Sequence, residues 1–125
     1  AASSAVEQAS AADITPAAAE PADSTTISDL VVAKLAAHAA RRTYGVVAMR
    51  STPMRRMADM LRGTEGVEAV IRDGSVHVRL HVIMERGVNV AQVTAILRTQ
   101  VSYEIERGTG LPVDDVVVSV EDLRE

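Results

Sequence analysis

From residue 28 onward, apolar side chains recur with two different periods, and the switches between them mark the structural elements. In SDLVVAKLAAHAARR, Val31, Leu35 and Ala39 stand four apart with Val32 and Ala36 beside them, which is the period of one helical face. Ser28 suits the N-cap, Asp29 places a carboxylate in the first turn, and Arg41 and Arg42 place cations in the last. Order is expected to begin near Ile27 and the helix to run to about Arg42. The stretch YGVVAMRS is short, rich in Val and follows a turn-type glycine, which predicts a strand. In PMRRMADMLR, Met54, Met57, Ala58 and Leu61 fall at i, i+3, i+4 and i+7 behind Pro53, predicting a short amphipathic helix or an ordered loop.

Period two then takes over. GVEAVIR and SVHVRLHVIME are joined by Asp73-Gly74, a strong hairpin signal. In the second strand Val76, Val78, Leu80, Val82 and Met84 alternate with His77, Arg79, His81, Ile83 and Glu85, so one face is expected inside and the other largely polar. A long helix follows. Asn89 caps it with Gln92 three residues on, Val90, Val93, Leu97, Val101 and Ile105 form its stripe, and Gly108 and Gly110 are expected to stop it. PVDDVVVSVE closes the chain as a strand with Val116, Val118 and Val120 inward. A strand, a helix and a strand in succession predict a crossover with the flanking strands parallel, whereas the hairpin before it is antiparallel. The predicted fold class is α+β: a two-layer sandwich, with a mixed four-stranded sheet and two main helices packed on one face, plus the short helix or ordered loop.

Residues 1–25 do not share this patterning. They are Ala, Ser, Pro and acidic residues with few bulky apolar side chains, which predicts a disordered tail or linker ahead of a domain spanning 26–125. Apolar residues make up 47% of the 125 and aromatic ones only 2%, so the core must be aliphatic and stacking on bases is not expected. A formal charge of -4 and a pI near 5.4 argue against a protein whose main task is to hold a polyanion, and the same reasoning disfavours anionic membrane surfaces. The absence of cysteine removes disulfides and thiolate chemistry. Neither a bilayer-spanning run nor a secretory signal pattern is expected.

Candidate chemistry is sparse. His77 and His81 share a strand face, but their Cα atoms stand about 13 Å apart on an extended strand, too far for one metal ion unless a neighbouring strand brings a carboxylate between them. His38 is expected at a helix edge, bonded to backbone or water. There is no Gly-x-Ser-x-Gly elbow, and Asp114 and Asp115 are adjacent strand residues whose side chains should point to opposite faces rather than act together. Gly63-Thr64-Glu65-Gly66 matches the GXXG clamp of KH RNA-binding domains, with Arg55, Arg56 and Arg62 before it, yet the loop precedes a strand and carries an acid. A KH-like RNA-binding module is therefore the alternative reading. Met54, Met57, Met60 and Leu61 are either caps on the core or an adaptable docking surface.

Three blocks in order, TISDLVVAKLAAHAARRTYGV, GVEAVIRDGSVHVRLHVIMERGVNVAQV and TGLPVDDVVVSVEDL, resemble the alkaline-shock and general-stress protein family over about residues 26–123. Tyr44, where a Pro is common, and Val117, where the final strand usually carries Asn, depart from the family pattern. The resemblance implies a non-catalytic, cytoplasmic protein of the envelope stress response, held at the inner face of the membrane through an integral membrane protein of the same family and able to self-assemble. No cofactor, metal, small-molecule substrate or nucleic acid is expected. The expected interaction face is the uncovered side of the sheet, with His77, Arg79, His81, Ile83, Val117 and Ser119, joined by Val47 if the strands align; the Met54–Leu61 segment is second.

Overall fold

The computed structural model describes residues 24–125. The proposed tail at residues 1–25 thus lies almost entirely outside the described residues. In chain order the elements are α1 (Asp29–Arg41), β1 (Val46–Met49), α2 (Pro53–Arg62), β2 (Val67–Arg72), β3 (Ser75–Glu85), α3 (Val90–Thr109) and β4 (Val113–Arg124). The fold is α+β, with β3 at the centre of a mixed four-stranded sheet. It pairs antiparallel with β1 and β2 and parallel with β4.

β1 and β2 share one edge of β3, end to end. β2 pairs with residues 75–80 and β1 with residues 82–84, and His81 is the point of exchange: its amide donates to the Gly66 carbonyl at 2.8 Å and its carbonyl accepts from the Arg50 amide at 3.0 Å. Gly66 makes this possible. A Cβ there would stand 2.8 Å from the His81 carbonyl oxygen and 2.9 Å from the Arg50 nitrogen, and φ is +78°. The β2–β3 turn has Asp73 and Gly74 at φ 54° and 76°, the positive pair that a two-residue type I′ hairpin needs.

The inward residues of β3, Val76, Val78, Leu80, Val82 and Met84, are buried beneath α1 and α3, where Val93, Leu97, Val101 and Ile105 of α3 meet them. Each fully buried aliphatic side chain here contributes roughly 1.5–3 kcal/mol relative to exposure, which makes this stripe the main source of stability. The inner face of α1 is rotated from the expected stripe: Val32, Ala36 and Ala40 are fully buried, flanked by Ala33 and Ala37, while Val31 is exposed. Ser28 occupies the N-cap position with extended backbone but makes no side-chain capping bond. Asp29 instead accepts from the Ile71 amide at 3.0 Å, tying the start of α1 to β2. Asn89 does cap α3, accepting from the Gln92 amide at 3.1 Å. The helix runs through Gly108, where a Cβ would stand 3.0 Å from Leu35 Cδ1, and ends at Gly110 with φ +77°. Gly108 is thus a point of close helix approach rather than a stop signal.

Candidate functional site

The face of the sheet opposite α1 and α3 carries the residues that alternate with the core. Along β3 these are His77, Arg79 and His81; in the register with β4, Val117 stands beside Arg79 and Ser119 beside His81. The register slips twice, between Val76 and His77 and between Val82 and Ile83, so that Asp114 and Glu121 are extra residues on β4. Each slip delivers a carboxylate to a histidine. His77 Nδ1 lies 2.5 Å from Asp115 and its Nε2 lies 3.8 Å from Asp114, so the two aspartates flank one ring instead of facing apart as strict alternation would require. His81 Nδ1 lies 2.6 Å from Glu121, and its Nε2 lies 3.0 Å from Glu68 of β2. Both ring nitrogens of His81 face carboxylate acceptors, an arrangement fully hydrogen-bonded when each carries a proton.

Ile83 does not join this surface. It is 2% exposed, and Val82, Ile83 and Met84 form three consecutive buried residues that break the alternation. Here β3 lies between β1 and the part of β4 beyond its second bulge, and Ile83 lies in a cleft also lined by residues 46–51 of β1 and its exit and by Arg124 of β4. Arg79, Val117 and Val47 are exposed, whereas His77, His81 and Ser119 are half-buried.

α2 is oriented against the usual rule. Of its ten residues only Asp59 is buried, while Met54 is 96% exposed and Leu61 83% exposed, with Met57 and Met60 exposed between them. The polar side of the helix faces the domain: Arg55 lies 3.9 Å from both Asp59 and Glu68, and Arg56 lies 3.6 Å from Glu65. The apolar side forms a ridge rather than a cap on the core. Between α2 and β1 runs a cleft of about 680 Å³ lined by Arg41, Arg50, Arg56 and Arg124, with Ile83 and the β1 backbone along it. Ser51 also lines this cleft, and its hydroxyl oxygen is buried without a hydrogen-bond partner.

The Gly63–Gly66 loop serves the fold. Gly63 ends α2 with φ +74° and its carbonyl accepts from Arg41 at 2.9 Å; the Thr64 amide donates to Asp59; and the Gly66 carbonyl is taken by His81. The loop joins a helix to a strand, and its glycines answer to a helix end and a sheet junction. His38 is exposed at the edge of α1, its Nε2 3.3 Å from Arg42 Nη1. Among the described residues no group of three or more His, Asp or Glu side chains is arranged to hold a metal ion. Ser119, the hydroxyl beside His81, donates to Glu121 at 3.4 Å. Among the described residues no helix is long and apolar enough to cross a membrane.

The geometry thus defines a small two-layer domain with one face of its sheet and one apolar helix ridge left uncovered. Residues 18–125 match the Asp23 family, described as having a cell envelope-related function, and the chain belongs to that family of alkaline-shock proteins. It is similar to the uncharacterized protein YloU of Bacillus subtilis (strain 168), with 29% identity over 103 residues covering 78% of this chain and 86% of the relative. No solved structure matches the chain.

Proposed function

We propose that the chain is a non-catalytic scaffold of the envelope stress response, placed on the cytoplasmic side of the cell membrane by an integral membrane protein of the same family and by association with its own copies. The envelope-related family is the background to this reading. The observation that carries it is the uncovered sheet face, where exposed Val117 stands beside Arg79 next to polar groups already paired within the domain. Histidine rings occupied by their own carboxylates are suited to presenting a fixed surface rather than to moving protons on a substrate. An exposed valine set among polar groups whose hydrogen bonds are already satisfied within the domain is better suited to contact than to solvation.

The test is the assembly state of the full chain by light scattering, with its membrane recruitment in cells. Val117→Asp together with Arg79→Glu should leave the thermal midpoint nearly unchanged and abolish self-association or recruitment. Normal assembly and localisation of that variant would remove the sheet face from consideration.

A further inference from the structure

We propose that α2 and the adjoining arginine-lined cleft form a direct docking site for an anionic lipid bilayer surface. The net charge of the chain is negative, but the charge is not evenly spread. Residues 41–62 contain Arg41, Arg42, Arg50, Arg55, Arg56 and Arg62 and a single carboxylate, Asp59, which is buried. On a helix of 3.6 residues per turn, Met54, Met57, Met60 and Leu61 occupy one arc, bordered on one side by Arg56 and on the other by Arg55 and Arg62, with Asp59 opposite. The structure turns the Asp59 side to the domain and the Met and Leu side to solvent. An apolar arc with arginines along both rims is the arrangement of a helix that lies in a membrane interface. Among the described residues Arg62 has no carboxylate at ion-pair distance, whereas Arg55 and Arg56 also face Asp59, Glu68 and Glu65 while staying more than half exposed.

The cleft extends this chemistry. Pro53 and Arg56 line both the cleft and the hollow beside Met57, Met60 and Leu61, so the two surfaces are continuous. Of the four arginines in the cleft, Arg50 is opposed by Asp122 and Arg56 by Glu65; among the described residues Arg41 and Arg124 have no carboxylate at ion-pair distance. The unpartnered Ser51 hydroxyl adds a donor for a phosphate oxygen. A ligand with an anionic head and apolar tails fits both parts at once. The apolar side chains of the ridge are all more than half exposed, which suits burial in a deformable lipid phase. The inference stands apart from recruitment by a membrane protein, because it requires lipid alone.

The experiment is sedimentation of the purified full chain with protein-free vesicles, either phosphatidylcholine alone or equal parts phosphatidylcholine and phosphatidylglycerol. The chain should bind the anionic vesicles, bind neutral ones poorly and be released as salt rises. Met57→Glu with Leu61→Glu should reduce binding by at least about tenfold, and Arg62→Ala and Arg124→Ala by about fivefold each, all with an unchanged thermal midpoint. Met54→Glu serves in place of the double variant should that fail to fold. A wild-type chain that stays in solution with anionic vesicles overturns the proposal, as does a ridge variant that binds like wild type. If binding appears only with vesicles carrying a membrane protein, or if the ridge variants instead convert an oligomer to a monomer, the ridge docks protein and the lipid assignment fails.

Discussion

The amide of His81 donates to the carbonyl of Gly66 at 2.8 Å, at the point where β3 exchanges β2 for β1 as its neighbour. Three backbone segments converge there, and only a residue without a Cβ fits.

Gly66→Ala should therefore cost more than backbone strain alone. The positive φ accounts for about 1–2 kcal/mol at any non-glycine residue, and the close contacts with the His81 oxygen, the Arg50 nitrogen and Met49 Cβ raise the expected loss to about 3 kcal/mol or more. Gly63→Ala has a similar φ but open space around it, so about 1 kcal/mol is expected. Urea denaturation of the two variants decides the matter. Equal losses would mean that the junction relaxes and that Gly66 is no tighter than a helix end.

The pair His81 and Glu121 is suited to a double-mutant cycle. A ring nitrogen 2.6 Å from a carboxylate in a half-buried setting should show a coupling of about 1 kcal/mol. His81→Ala alone should cost about 1–2 kcal/mol, since it leaves Glu68 and Glu121 without their shared partner. Additional replacement of Glu121 by Gln should recover part of that loss. Strict additivity of the two single changes would show that the contact contributes nothing to stability.

The orientation of α2 is checked by comparing two leucines. Leu97 is fully buried in α3, and Leu97→Ala should cost about 2–5 kcal/mol. Leu61 projects from α2, and Leu61→Ala should stay within about 0.5 kcal/mol. A large loss at Leu61 in the isolated chain would mean that the ridge packs on the domain, and the surface argued for lipid would not exist.

How far the sequence reveals this fold depends on how local the determining forces are. The β3 stripe, the Asp73-Gly74 turn and the Asn89 cap are legible because period and φ preference act within a few residues. The parallel pairing of β3 with β4 follows from the long helix between them. The site is less legible. Periodicity groups Met54, Met57 and Leu61 on one side of a helix, but it does not say which side meets the domain; Asp59 and Arg55 take that place because Glu68 and His81 lie across from them. The strand alternation that would separate Asp114 from Asp115 fails at a bulge, and bulges are set by the partner strand. Ser28 has the chemistry of a cap but no bond, because φ and ψ alone do not aim a hydroxyl.

The same bulged end of the sheet yields the last prediction. Strict alternation puts Ile83 on the same uncovered face as Val117, and the two would then respond alike to a charged substitution. The structure separates them: Ile83 is buried where β1, β3 and β4 converge, while Val117 is 39% exposed in the middle of β4. Ile83→Lys must bring an ammonium into a site where the native side chain is 2% exposed, so desolvation opposes it, and a loss of about 3 kcal/mol or more is expected. Val117→Asp keeps its carboxylate in water and within reach of Arg79, so a loss below about 1 kcal/mol is expected. Thermal melts of the two variants separate these outcomes, and they also settle which substitution can serve as a probe of assembly. A mild effect at Ile83 would return it to the uncovered face and widen the apolar surface available to a second copy.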